Sequence, residues 1–298
     1  MNYSWFILFI FSLAFLEDNF LQEPEDTIVY EGQEAFIRCI PPSSLPPAVV
    51  TWTHDDVLIQ GDGYQITTDG HLVIITAGMA DSGVYRCVSN NPLANDSRSS
   101  QTAYLLVASP IELTISSELV QTLVDSEVVI TCSDTGVPTP SISWTRDNVN
   151  LPNSLYPGIT INDNQLRIMN ALLAHEGYYQ CTAVNQVETQ VAQVFVDVIQ
   201  PPNVTAVMTS ITSIEGIQSI LTCSAAGDPQ PVIDWLIEGD SSISLSTIHS
   251  VYSNGSLVIS YTVRSDAGNY ICRGTNIGGE DQDTIALNVS LFELFSEF

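Results

Sequence analysis

Lysine is absent from the sequence, and only seven arginines stand against 34 acidic residues. The formal net charge of the 298 residues is −27 at pH 7. Nucleic acid, heparin-like glycans and anionic membrane surfaces are bound through clustered cations, so the composition excludes all three as main partners. Copies of so acidic a chain repel one another, and we expect self-association to strengthen as salt screens that repulsion.

The sequence also lacks an apolar run long enough to cross a bilayer. Residues 5–13 are apolar, but a spanning helix needs about 20 such residues. Small residues at positions 12–14 complete a pattern typical of a secretory signal, which predicts a signal peptide at residues 1–14. The first residues include no base, which leaves an uncleaved anchor open. Residues 291–298 are predicted to be a short tail.

Catalytic and metal-binding patterns are missing as well. The four histidines, His54, His71, His175 and His249, are scattered, and none has metal-ligand spacing to another histidine or to a free thiol. The acidic run 280–283 is typical of a solvated face rather than a calcium site. We therefore predict a protein that is not an enzyme and has no metal and no cofactor.

What the sequence does contain is one cassette, present three times. The copies are Leu72/Ile74/Asp81/Gly83/Tyr85/Cys87, Leu166/Ile168/Gly177/Tyr179/Cys181 and Leu257/Ile259/Asp266/Gly268/Tyr270/Cys272. Each follows an earlier cysteine and a lone tryptophan: Cys39 and Trp52, Cys132 and Trp144, Cys223 and Trp235. The two cysteines of a repeat are 48, 49 and 49 positions apart. A repeat of this kind indicates one domain copied three times.

Each part of the cassette has a physical role. In Leu-x-Ile the two apolar side chains have the period of a strand and face one side of a sheet. Asp-x-Gly permits a tight reversal, because glycine has no Cβ. Tyrosine and cysteine, two apart, then point inward on the next strand. These residues predict a sandwich with one buried face per sheet.

The Cys…Trp…Asp-x-Gly-x-Tyr-x-Cys pattern resembles the immunoglobulin superfamily, and the cysteine spans resemble its I-set type. The resemblance implies an all-β chain of three serial immunoglobulin-like β-sandwiches in a rod, at residues 18–108, 109–199 and 200–290. It implies the disulfides Cys39–Cys87, Cys132–Cys181 and Cys223–Cys272, the core tryptophans Trp52, Trp144 and Trp235, and the tyrosine corners Tyr85, Tyr179 and Tyr270. Such disulfides indicate an oxidising compartment.

The second repeat departs from the family pattern. It has His175 where the others have Asp81 and Asp266, so we expect its turn to lack the usual carboxylate acceptor and His175→Ala to be mild. No arginine or lysine occurs in residues 57–71 or 241–255, so the ion pair that many relatives form with the turn aspartate is expected to be absent.

The sequence also predicts the joints between the domains and the sites of glycosylation. Ser109-Pro110 and residues 200–202 are expected to follow the last strand of the first two domains as short, stiff joints. Sequons predict N-glycosylation at Asn95, Asn203, Asn254 and Asn288.

The resemblance implies extracellular recognition or cell adhesion by protein–protein contact, similar to cell-adhesion and hemicentin-like proteins, with a homophilic or heterophilic partner. In this fold Arg86 and Val88 face outward on the sheet that relatives use for contact, and an acidic patch on a partner can use Arg86. The alternative is an ectodomain fragment of a larger immunoglobulin-containing receptor, a kinase or phosphatase, or of a matrix protein. Either way the predicted location is extracellular, secreted or at the cell surface.

Overall fold

The computed structural model describes residues 14–152, 154–238 and 249–291. The predicted signal peptide and the predicted tail therefore lie outside the described residues, except for Ala14 and Leu291. Strands make up almost all of the regular structure. No helix among the described residues is long and apolar enough to span a membrane.

The first sandwich contains the strands up to the middle of β11. They are β1 (Phe15–Leu16), β2 (Thr27–Tyr30), β3 (Ala35–Ile37), β4 (Ser44–Leu45), β5 (Val49–His54), β6 (Val57–Leu58), β7 (Tyr64–Ile66), β8 (Leu72–Ile74), β9 (Gly83–Asn91), β10 (Asp96–Ser99) and β11 (Ala103–Ile115). One sheet has the order β2-β11-β9-β5-β6, with β10 also paired to β9, and the other has the order β3-β8-β7.

The second sandwich repeats this plan. Its strands are β12 (Leu119–Leu123), β13 (Val128–Val137), β14 (Ser141–Arg146), β15 (Val149–Asn150), β16 (Ile159–Asn162), β17 (Gln165–Ile168), β18 (Gly177–Val184) and β19 (Thr189–Ala206). One of its sheets has the strand order β12-β19-β18-β14-β15, and strands β13, β17 and β16 pair in that order in the other.

The third sandwich follows. Its strands are β20 (Ser210–Ile214), β21 (Ser219–Leu221), β22 (Cys223–Asp228), β23 (Val232–Ile237), β24 (His249–Val251), β25 (Leu257–Ile259), β26 (Gly268–Asn276) and β27 (Gly279–Ser290). Its sheets have the orders β20-β27-β26-β23 and β21-β25-β24. A single-turn 3-10 helix precedes β9, β18 and β26: Met79–Asp81, Leu173–His175 and Arg264–Asp266.

Strand periodicity explains which side chains form the cores. Along β9 the buried and more exposed residues alternate, so Tyr85 and Cys87 point inward and Arg86 and Val88 point outward. Leu72 and Ile74 on β8 are buried while the residue between them is not. The prediction of three serial immunoglobulin-like sandwiches is confirmed for the fold class.

The predicted joints are not separate segments. Ser109 and Pro110 lie within β11, and residues 200–202 lie within β19. After residue 202, β19 continues by pairing with β22 of the third sandwich. One strand thus serves the end of one repeat and the beginning of the next, which is why the sequence shows no loop there.

The chain divides into two compact units, each assembled from separate stretches of the sequence. One unit runs to Leu113 and includes Asp134–Ser141 and Ala183–Gln190; the other comprises Thr114–Ser133, Ile142–Thr182 and the chain from Val191 onward. Inside the first unit the Ile111 amide donates to the Glu188 carboxylate.

Candidate functional site

Each sandwich is built around one disulfide and one indole. The bonded pairs are Cys39–Cys87, Cys132–Cys181 and Cys223–Cys272. Trp52, Trp144 and Trp235 are buried, and Cys87 is the register partner of Trp52 on the neighbouring strand. The indoles therefore belong to the cores, where they are not accessible to a partner.

The tyrosine before each second cysteine hydrogen-bonds backward to the turn. The hydroxyls of Tyr85, Tyr179 and Tyr270 donate to the carbonyls of Asp81, His175 and Asp266 at 2.8, 2.8 and 3.0 Å. Burial raises the pKa of all three phenols, that of Tyr270 to about 12, with the Asp266 carboxylate adding to the effect. This is the geometry of a tyrosine corner.

The second turn lacks the carboxylate acceptor of the other two, as expected, but it does not lack an acceptor. Asp81 Oδ2 accepts the Gly78 amide at 2.8 Å, and Asp266 Oδ2 accepts the Val263 amide at 2.7 Å. In the second sandwich His175 Nδ1 accepts the Leu172 amide at 3.0 Å. A neutral imidazole nitrogen has a lone pair that can take the place of the carboxylate oxygen. Removing it would leave a backbone donor without its partner.

The turn aspartate of the first sandwich bonds to a phenol rather than to a base. The Tyr64 hydroxyl donates to Asp81 Oδ1 at 2.6 Å. This hydrogen bond, with burial and the Asp81 charge, raises the pKa of Tyr64 to about 12. Part of the corresponding stretch of the third repeat lies outside the described residues.

The arginines of the second sandwich are engaged within it. Arg146 is only 7% exposed, and its two terminal nitrogens donate to the carbonyls of Ala174 and Glu176 at 2.7 and 2.5 Å. Arg167 pairs with Glu127 at 2.6 Å. Neither guanidinium contributes to a basic surface.

The acidic run near the end of the chain anchors a strand instead of facing only solvent. Asp281 Oδ2 accepts the Val204 amide at 2.7 Å, and Asp283 Oδ2 accepts the Ala206 amide at 2.8 Å. Backbone amides that have no strand partner on that side are thereby satisfied. Within residues 14–152, 154–238 and 249–291, no group of three metal-ligating side chains is arranged to hold an ion.

Other histidines also have local roles. His71 Nδ1 accepts the Cys39 amide at 3.0 Å, and the His54 ring stacks on Tyr85 with 4.6 Å between centroids.

The predicted glycosylation residues Asn95, Asn203, Asn254 and Asn288 are all exposed, and Asn95 lies in the turn between β9 and β10.

The outer surface of β5, β6, β9 and the start of β11 forms one face of partly or fully exposed side chains, both apolar and polar, which we call the first-domain face. Its members are Val49, Thr51, Thr53, Leu58, Val84, Arg86, Val88, Asn90 and Tyr104. Val49 is 57% exposed, Leu58 49% and Tyr104 46%. Thr53 is the register partner of Arg86, and Thr51 that of Val88.

Arg86 is the one charged member of this face. Its Nε is buried without a hydrogen-bond partner, and no carboxylate lies within 4.0 Å of its guanidinium among the described residues. In the same described part of the chain Arg38 also has no carboxylate partner, but it follows the end of β3, which belongs to the other sheet. The remaining five arginines are each paired. Sequence reasoning identified Arg86 as outward-facing, and the structure adds that it is unpaired.

Each of the three repeats matches a known family of domains. A model described as immunoglobulin I-set domain matches residues 18–103 and 202–289, and one described as immunoglobulin domain matches residues 112–185. The chain belongs to the immunoglobulin superfamily.

Two curated relatives illustrate the likeness. Peroxidasin homolog of Mus musculus is 33% identical over 274 residues, which are 90% of this chain and 18% of that protein. Roundabout homolog 1 of Homo sapiens is 30% identical over 275 residues, 90% of this chain and 16% of that protein. The chain thus spans less than a fifth of the length of these two relatives.

Solved structures agree on the immunoglobulin fold. A fragment from the I-band of titin has a TM-score of 0.68 at 20% identity, covering 91% of this chain and 98% of that one. A crystal structure of Dpr2 in complex with DIP-Theta has a TM-score of 0.58 at 22% identity, covering 91% of this chain and 99% of the matched chain. At these identities the likeness shows the fold alone.

Proposed function

We propose that this chain is an extracellular recognition protein whose first domain binds another protein through the first-domain face, without turnover of a substrate. Two features of the chain support an extracellular location: a disulfide in every sandwich, which persists in an oxidising compartment, and exposed sequon asparagines. The immunoglobulin relatives support recognition as the general task.

The unpaired guanidinium of Arg86 carries the proposal. A cation whose Nε is removed from solvent and has no acceptor is costly, and that cost is repaid if a partner brings an acceptor to it. Val84 and Val88 flank Arg86 on β9, Thr53 lies opposite it on β5, and Tyr104 is the register partner of Val84. Apolar residues and tyrosine near a central arginine are typical of the energetic centre of an interface. The partner chemistry that fits is a carboxylate set in an apolar surround.

A second copy of this chain fits the face poorly. Arg86 lies on β9, which is flanked by β5 on one side and by β10 and β11 on the other. A two-fold contact that stacks this face on itself brings two Arg86 side chains together, and the net charges of −27 add repulsion. The proposed contact is therefore heterophilic.

Paired charge reversals test the site. Arg86→Glu and Arg38→Glu change the chain's charge equally, and both replace an arginine of the first domain that has no carboxylate partner among the described residues. We expect the intact chain to bind a member of an array of purified cell-surface and secreted ectodomains, Arg86→Glu to weaken that binding at least about 30-fold, and Arg38→Glu to change it less than about 3-fold. The proposal is wrong if Arg38→Glu has the larger effect, or if the chain binds only to itself.

A further inference from the structure

His175 occupies a position that a carboxylate fills in both other sandwiches. In each repeat the third residue of the 3-10 turn accepts the amide of the residue that precedes the turn. Asp81 and Asp266 do this with carboxylate oxygens, and His175 does it with an imidazole nitrogen. His175 is also 2% exposed, so water does not replace a lost partner easily.

The two ring contacts require one protonation state. Leu172 N–H can only donate, so the nitrogen facing it at 3.0 Å, Nδ1, must hold a lone pair. Pro157 O can only accept, so Nε2, 2.9 Å away, must carry the hydrogen. Both bonds exist only in the neutral Nε2–H tautomer. A proton added at Nδ1 would set two N–H groups against each other.

The charged groups around His175 do not offset the repulsion between a protonated Nδ1 and the Leu172 amide. From β14, the Arg146 guanidinium donates to the carbonyls on either side of His175, those of Ala174 and Glu176. From β18, the neutral hydroxyl of Tyr179 donates to the His175 carbonyl at 2.8 Å. A protonated His175 would therefore be a second cation beside Arg146.

The remaining titratable groups lie around Arg146. The Tyr156 ring lies 4.4 Å from the Arg146 guanidinium carbon, and the exposed Asp147 carboxylate lies 3.5 Å from Arg146 Nε. The Glu176 side chain is exposed. Asp147 already faces Arg146, so the described neighbours supply no carboxylate to the imidazole.

We propose that His175 makes the second sandwich acid-sensitive: proton uptake breaks the Leu172 bond, opens the turn before β18 and loosens the Arg146 and Tyr179 contacts that depend on it. Imidazole is the side chain that changes charge between about pH 5 and about pH 8, whereas aspartate keeps its charge in that range. Both hydrogen bonds of the folded turn require the neutral ring, so the Leu172 bond stabilises the fold at neutral pH and is lost when falling pH protonates the ring. The equivalent turns of the first and third sandwiches hold Asp81 and Asp266 instead.

Hydrogen exchange on the full chain, corrected for intrinsic rates, tests the proposal between about pH 7.5 and about pH 5. We expect peptides covering β17 and β18 to lose protection about tenfold or more, and those covering β25 and β26 to change less than about twofold. His175→Asp, which installs the side chain of the other two repeats, should remove the difference.

Unchanged protection of β18 in the wild-type chain would overturn the proposal, as would an equal loss in His175→Asp. If that variant does not fold, the imidazole resonances of the wild-type chain decide the question. Proton uptake by His175 must then coincide with the loss of protection, and uptake without that loss contradicts the proposal.

Discussion

At the scale of single residues, the same glycine meets different neighbours in different repeats. A Cβ added at Gly83 would overlap His54 Nε2 and lie 2.9 Å from Asp55 Oδ1. At Gly268, its equivalent in the third sandwich, a Cβ would meet no atom within 4 Å. The difference arises because His54 on β5 reaches across to the Ser82 carbonyl, 3.3 Å away.

This contrast predicts unequal costs for one substitution. Gly83→Ala should destabilise the first sandwich by about 1 to 3 kcal/mol, the usual range for forcing extra volume into a packed site. Gly268→Ala should change the third sandwich by less than about 0.5 kcal/mol. Fluorotryptophan NMR during urea unfolding follows Trp52 and Trp235 separately. Equal shifts of the two transitions would refute the explanation.

The raised pKa of Tyr64 predicts a loss of stability in alkali. The folded chain holds this phenol neutral to about pH 12, whereas an ordinary tyrosine ionises near pH 10. Its contribution is therefore fully present below pH 10 and is lost as pH rises through about 12. Tyr64→Phe should cost about 1 kcal/mol at neutral pH and give a shallower decline above pH 10, measured at Trp52. An unchanged alkaline slope would show that Tyr64 is not the group responsible.

Sequence identified some residue roles and not others, for a physical reason. The roles of Trp52 and Tyr85 could be predicted because their spacing to the cysteines recurs. Those of Tyr64 and His175 could not, because each bonds to a partner that only the folded chain brings near. The sequence shows that the second turn has lost the aspartate of the other repeats, but it does not show that the His175 ring accepts the same hydrogen bond.

At the scale of elements, one asparagine per repeat ties the loop before the tryptophan strand to the turn after the second cysteine. Asn185 and Asn276 donate to the carbonyls of Pro138 and Pro229 at 2.9 and 2.8 Å. Asn276 also donates to the Gln200 carbonyl in β19, at 2.9 Å. The asparagine therefore fixes the incoming strand as well as the loop.

In the first sandwich the same position, Asn91, holds the short strand β1. Its amide nitrogen lies 2.9 Å from the Phe15 carbonyl and 2.9 Å from Ser44 Oγ. Asn91→Ala should therefore release β1 from β4, raising hydrogen exchange at the Glu17 amide about tenfold while the protection of β8 stays unchanged. Asn90→Ala, one residue away and facing outward, is the control. Equal exchange in both variants would contradict this role.

Elements were predictable where periodicity marks them. The alternation in β9 and the Leu-x-Ile strands was read correctly, since strand period depends on local sequence. The continuous strands β11 and β19 were not foreseen, because prolines within them look like joints. The anchoring of β19 by Asp281 and Asp283 depends on strand register, which the sequence does not reveal.

At the scale of the whole chain, the triple cassette was enough to predict the immunoglobulin fold, because each copy supports the others. For the proposed first-domain face, strand alternation in the sequence predicted only that Arg86 faces outward. The lack of a carboxylate partner for Arg86 became visible only in the three-dimensional structure. Two of the seven arginines, Arg38 and Arg86, have no carboxylate partner among the described residues, and Arg86 is the one on the first-domain face. We therefore expect recognition to be localised on the first-domain face.

Two equivalent glycan insertions test that claim most directly. Thr51→Asn creates a sequon with Trp52 and Thr53 on the first-domain face, beside Val88, and Ser143→Asn creates one with Trp144 and Thr145 at the same place in the second sandwich. Once mass spectrometry has verified that both sites carry glycan, the Thr51→Asn chain should lose binding to its ectodomain partner, and the Ser143→Asn chain should retain it within about 3-fold. Full binding by glycosylated Thr51→Asn, or its loss in Ser143→Asn alone, would contradict the account.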